Sequence, residues 1–220
     1  MMKLILSLTL IWTLSSTAEA LMCRVGQGTD TKQQTLTPCN STELCATVAL
    51  QVNEIRNVTK DTIRLCLPSS LFSEGKHTFS FNVGFDAISA TVHVCNTDGC
   101  NNQTISYPGV QKKNNLQCFT CDDQSFSVCN KTLQCVGVQD RCISGTVVDS
   151  EARGAVFRSF GCVSANLCKV ASHLELLPVP IPVKFSVAPK CCGGSFCNSG
   201  WSVKLNVIPL LFGLITLIIY

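Results

Sequence analysis

The sequence predicts an all-β, disulfide-rich protein made of two tandem modules of antiparallel hairpins. Three observations carry that expectation. Sixteen of the 220 residues are cysteine while only 14% are charged, a balance found in secreted chains stabilised by bridges. Six cysteines recur in a second set at a nearly constant interval. Between them lie paired runs rich in β-branched residues, each pair flanking a polar turn.

The N-terminus carries Lys3, an apolar run from Leu4 to Leu14, and Ala18-Glu19-Ala20. A helix of that run reaches about 16 Å, well short of a ~30 Å hydrocarbon core. Residues 1–20 are therefore expected to be a signal peptide cleaved after Ala20. Near the other end, Val207 to Tyr220 reads VIPLLFGLITLIIY without a charge, about 21 Å as a helix. Asn198, Ser199 and Gly200 precede it, followed by a spacer with Lys204. Small residues, a short polar spacer and an apolar tail form a GPI-attachment signal. Residues 199–220 are expected to be removed and the lipid attached at Asn198, or at Ser199 or Gly200. A short single-pass helix is the competing reading.

Between these ends the chain repeats. Cys23, Cys39, Cys45, Cys66, Cys95 and Cys100 match Cys118, Cys135, Cys142, Cys162, Cys192 and Cys197 at offsets of 95, 96, 97, 96, 97 and 97. Constancy over six positions marks a duplicated unit. Each unit opens L-x-C, at Leu21 and Leu116, and closes Cys-Asn, at Asn101 and Asn198. The modules are thus 21–101 and 116–198, and 102–115, with Pro108-Gly109, reads as a linker. The second module has four further cysteines, Cys121, Cys129, Cys168 and Cys191. The first places Gly26, Gln33 or Gln34, Phe72 and Val94 there. Cysteines lost in pairs suggest bridges Cys121–Cys129 and Cys168–Cys191, and predict that Phe72 touches Val94.

Three hairpins follow from local pattern. ATVALQV and DTIRL flank a polar tip with Asn57; ISGTVV and AVFRSFG flank DSEARG; from Thr78, TFSFNVGF precedes AISATVHV. Each is two strand-forming runs around a turn.

The second module reads LQCFTC, then GCVSANLC, then CCGGSFCN, with the adjacent pair Cys191-Cys192. That order resembles the Ly6/uPAR (three-finger) domain family. Two such domains are similar in organisation to urokinase-receptor-like proteins and gamma-type phospholipase A2 inhibitors. The resemblance implies bridges Cys118–Cys142, Cys121–Cys129, Cys135–Cys162, Cys168–Cys191 and Cys192–Cys197. In the first module it implies Cys23–Cys45, Cys39–Cys66 and Cys95–Cys100. It also implies that Asn101 and Asn198 are structural, their amides bonding backbone near each module's start.

Function classes narrow accordingly. A net charge of +3 is too small for a nucleic-acid binder working by phosphate neutralisation. Aromatics at 7% are too sparse for a base-stacking platform. His77, His93 and His173 are the three histidines, and no G-x-S-x-G or HExxH motif accompanies them, so no enzyme and no cofactor is expected. Cys118-x-x-Cys121 alone would suggest zinc or redox chemistry; among paired secretory cysteines it reads as bridge spacing.

Asn40, Asn57, Asn102 and Asn130 head N-x-S/T sequons and are candidate glycan sites on the surface. Leu174 to Phe185, LELLPVPIPVKF, has prolines at 178, 180 and 182. These cannot donate to a ladder, so a pre-ordered extended segment is expected. It would present Leu177, Val179, Ile181 and Val183 as a contact surface, although a stiff loop packed on its neighbour is the plainer reading. Arg153 and Arg158 are a second candidate. The expected protein is a GPI-anchored binding protein at the extracellular face of the plasma membrane, contacting an extracellular protein ligand through its β-fingers. A secreted inhibitor that captures a soluble enzyme is the alternative.

Overall fold

The computed structural model describes residues 20–28, 34–54, 57–121, 129–149, 155–171, 173 and 183–199. Residues 1–19 of the expected signal peptide, Arg153, the contact candidates Leu177, Val179 and Ile181, Gly200 and the apolar tail lie outside the described residues.

The first module is six strands: β1 (Met22–Gln27), β2 (Thr35–Pro38), β3 (Glu43–Glu54), β4 (Asn57–Pro68), β5 (Gly75–Asn82) and β6 (Ala87–Cys95). A short 3-10 turn, Cys100–Asn102, closes it. The second holds β7 (Lys113–Thr120), β8 (Lys131–Val136), β9 (Arg141–Asp149), β10 (Ala155–Val163), helix α1 (Ala165–Val170), β11 (Val183–Phe185) and β12 (Lys190–Cys192). All pairings among the described residues are antiparallel. Ten strands join in one sheet spanning both modules, and β7 pairs with β8 apart from it.

The chain is therefore an all-β, disulfide-rich pair of hairpin modules. Three boundaries differ from the sequence reading. β5 starts at Gly75, not Thr78, because Gly75 to His77 find ladder partners in Val94 to Val92. β7 starts at Lys113, inside the expected linker. Val183, expected in an extended proline-rich segment, opens β11, which pairs with β9. The last alternating proline is Pro182, so backbone donors return at the residue where the strand begins.

Strand alternation sorts the first module's sheet into two faces. Ala46, Val48, Leu50, Ile63 and Leu65 lie on one; Thr47, Thr62 and Arg64 lie on the other. Ala46, Leu65, Leu67, Phe72, Phe79, Ala90, Val92 and Val94 form one buried apolar cluster. Phe72 is 6% exposed and Val94 1%, and the Phe72 ring meets Phe79 edge-on at 5.7 Å. These two residues stand where the second module has the Cys168–Cys191 bridge. Burying such side chains contributes about 1.5–3 kcal/mol each, similar to the ~3 kcal/mol of a bridge of that loop length. The other absent bridge is replaced by polar contacts. Gln34 donates its side-chain amide to the Gly28 carbonyl at 3.2 Å, and Gly26 pairs with Arg64 between β1 and β4.

Arg64 is fully buried on the polar face. Its Nε donates to the Asn101 carbonyl at 2.8 Å, and its terminal nitrogens reach the carbonyls of Gly28, Asn102 and Gln103 at 3.3–3.4 Å. Burial, with a smaller contribution from Arg24, lowers its pKa. Carbonyl dipoles thus hold a desolvated cation and fix the path of the chain as it leaves the first module. Downstream, the Tyr107 hydroxyl meets Thr62 at 2.9 Å and Pro108 is buried, so this stretch is packed on the sheet.

Because Phe72 occupies the place of a bridge, Phe72→Ala is expected to cost about 3–5 kcal/mol. Thermal unfolding of the oxidised protein checks this; a loss below about 1 kcal/mol would show the apolar cluster is not the replacement.

Candidate functional site

All sixteen cysteines are bonded and none is free. The first module has Cys23–Cys45, Cys39–Cys66 and Cys95–Cys100. The second has Cys118–Cys142, Cys121–Cys129, Cys135–Cys162, Cys168–Cys191 and Cys192–Cys197. No bridge joins the modules. At each root two bridges pack together: Cys118 Sγ lies 3.3 Å from Cys135 Sγ, and the sulfurs of Cys23, Cys39 and Cys66 lie within 4.8 Å. Thiolates so clustered would suit a soft metal, but sulfurs in disulfides are not thiolate ligands.

Two asparagines stitch the module ends to their first strands. Asn101 Oδ1 accepts from the Arg24 amide at 2.9 Å, and its Nδ2 donates to the carbonyls of Arg24 and Ala46 at 2.8 and 3.0 Å. Asn198 Oδ1 accepts from the Phe119 amide, and its Nδ2 donates to Phe119 and Ile143, all at 2.9 Å. Both are buried. A carboxamide fits because it presents donor and acceptor side by side. The candidate lipid-attachment residue Asn198 is therefore also an internal tie, while Ser199 follows it half-buried.

The four sequon asparagines, Asn40, Asn57, Asn102 and Asn130, are all exposed. Asn57 heads β4 beside Val58, which is 57% exposed.

Among the first module's described residues, the other large exposed apolar side chains are Leu36 on β2 and Ile88 on β6. In the second module Val156 stands 64% exposed on β10. Arg158, also exposed, is two residues on and so on the same face. Their partners across the ladder are Val148 and Thr146 on β9. Toward the root the same face carries Phe160 and Cys162, both buried, near the first hairpin, where Cys121 Sγ lies 3.6 Å from the Arg158 carbonyl. On the opposite face the Phe185 ring lies over Gly145, where a Cβ would come within 2.8 Å of it. That contact backs the strand and leaves Val156 and Arg158 presented outward. The sequence reading singled out Arg158 but not Val156; alternation from the buried Cys162 was the available signal.

Hairpins rooted in paired disulfides, with side chains displayed on their outer faces, define a disulfide-rooted display scaffold, and no catalytic constellation stands among the described residues. The u-PAR/Ly-6 domain model matches residues 19–103 and again 114–200, and the chain belongs to that family. Membership supports a protein-binding role. The chain is 28% identical over 182 residues to the urokinase plasminogen activator surface receptor of Mus musculus, covering 76% of this chain and 50% of the receptor. It therefore spans half the length of that curated relative. The crystal structure of mouse TEX101 aligns at 18% identity over 74% of this chain and 87% of that one, with a TM-score of 0.29.

Removing the Asn198 carboxamide takes a partner from the part-buried Phe119 amide and carbonyl and from the buried Ile143 carbonyl. Asn198→Ala is expected to cost about 1–3 kcal/mol, read as a lower denaturation midpoint with the five bridges of the second module still formed. An unchanged midpoint would make the tie dispensable.

Proposed function

We propose that the protein is a GPI-anchored cell-surface binding protein whose partner, another extracellular protein, meets the second hairpin of the second module. The observation that carries this reading is the pairing of Val156 with Arg158 on one outward face of β10, on a hairpin whose sequence holds no sequon. A glycan at Asn57 would instead cover the corresponding hairpin of the first module beside Val58. An exposed aliphatic side chain next to a guanidinium offers burial and charge recognition together. A partner placing an apolar patch beside a carboxylate would match it.

The anchor reading rests on the apolar run from Val207 to Tyr220 and on the small residues before it. Attachment at Ser199 or Gly200 sets the lipid one or two residues beyond the buried Asn198 tie, and on this reading those positions are preferred. The role assigned is recognition, without catalysis.

Phosphatidylinositol-specific phospholipase C applied to cells expressing the full chain should remove the surface signal and deliver the protein to the medium; resistance of the signal would defeat the anchor. A photo-crosslinking residue in place of Val156 should trap one extracellular partner on cells, and Arg158→Glu in the same chain should reduce that product at least tenfold. A product unaffected by Arg158→Glu would move the binding surface elsewhere.

A further inference from the structure

Among the described residues the sheet passes from one module to the other through one seam, β5 to β10. Phe81 and Asn82 at the end of β5 pair with Val163 and Cys162 at the end of β10. Ser164 extends the contact: its amide donates to the Ser80 carbonyl at 2.9 Å, and its Oγ accepts from the Ser80 amide at 3.1 Å. Gln139 donates to Ser80 Oγ at 2.8 Å, Asn166 to the Thr78 carbonyl at 2.8 Å, and Thr120 to the Val83 carbonyl at 2.6 Å. From α1, Val170 joins the first module's buried cluster and Leu167 packs against it.

The repeat shows that these side chains are particular to the second module. At the cysteine offset, Gly161 corresponds to Leu65, Ser164 to Pro68, Asn166 to Ser70 and Val170 to Glu74. Each difference has a reason at the seam. A Cβ on Gly161 would stand 2.0 Å from the Asn82 carbonyl oxygen, so only glycine admits the incoming strand end. Proline at 164 would remove the amide that donates to Ser80. Glutamate at 170 would put a charge into the apolar cluster. In the first module the equivalent Leu65 fills that module's own core.

We propose that the second module carries an acceptor surface made for the third hairpin of the first, and that this seam, not the linker, holds the modules as one body. The first module, with Leu65, Pro68 and Glu74 at the equivalent places, cannot accept a hairpin in the same way. The contact is directional and is complete after one step. It does not depend on the anchor or on the identity of the partner.

Because no disulfide crosses the seam, the linker is the one covalent tie to cut. A protease site inserted at Val110, which is fully exposed, allows the folded full chain to be nicked. The nicked, unreduced protein is expected to elute in gel filtration as one particle of the intact mass. Gly161→Ala in the nicked chain is expected to release two separate halves, with the second module's five bridges unchanged by mass mapping. Val170→Asp supplies the same readout from the helix should Gly161→Ala fail to be secreted. Separation of the unsubstituted halves on nicking would overturn the proposal, as would halves that stay together in both variants.

Discussion

In each module a row of cysteines crosses three neighbouring strands. Cys95, Cys45 and Cys66 stand opposite one another on β6, β3 and β4, as Cys192, Cys142 and Cys162 do on β12, β9 and β10. Each is bonded, to a residue outside that row. Strand register has a side-chain period of two, and a slip of one residue would turn every side chain to the other face. A covalently fixed row leaves no such freedom. The apolar face with Ala46 and Leu65, the polar face with Thr47 and Arg64, and the outward display of Val156 and Arg158 are all counted from it. Bridges of this kind stabilise by about 2–5 kcal/mol each, and that suits modules too small to rely on a core alone.

Where the repeats diverge, the same geometric need is met by different chemistry. The first module has apolar packing of Phe72 and Val94 where the second has a bridge, and a Gln34 hydrogen bond near the place of another. The reverse trade appears just before the terminal cysteine. Gly99 takes a left-handed backbone at φ 64, and its counterpart Phe196 does so at φ 59. Both amides donate 2.7 Å bonds to the first strand of their module. A non-glycine residue there costs about 1–2 kcal/mol. The Phe196 ring, 5.0 Å from that of Phe119, contributes a compensating contact.

Cysteine spacing made the two modules legible, and alternation made their hairpins legible, because both depend on residues near in sequence. Paired loss of cysteines pointed to Phe72 and Val94 because a bridge leaves two gaps at once. Arg64 was not legible: a lone arginine in DTIRL resembles a solvated charge, and its carbonyl cage is assembled from residues 28 and 101–103, far along the chain. Gly161 was seen only as part of a cysteine motif. Glycine inside a strand does signal close approach of another backbone, but which backbone depends on how the modules dock. Val183 was assigned to a proline-rich extended segment because its partner strand β9 lies over thirty residues earlier.

The confinement of every bridge to its own module also sets a timetable for biogenesis. Sequence separations within bridges reach at most 27 residues, so the first module can oxidise fully while the second is still being synthesised. During that interval the apolar cluster that will receive Val170 lacks the part of its cover supplied by the second module. With its own three bridges closed, the first module at that stage would still lack the contacts that Val170 and Leu167 make with its apolar cluster. Docking of α1, not sulfur chemistry, is then the step that completes the cover of that cluster.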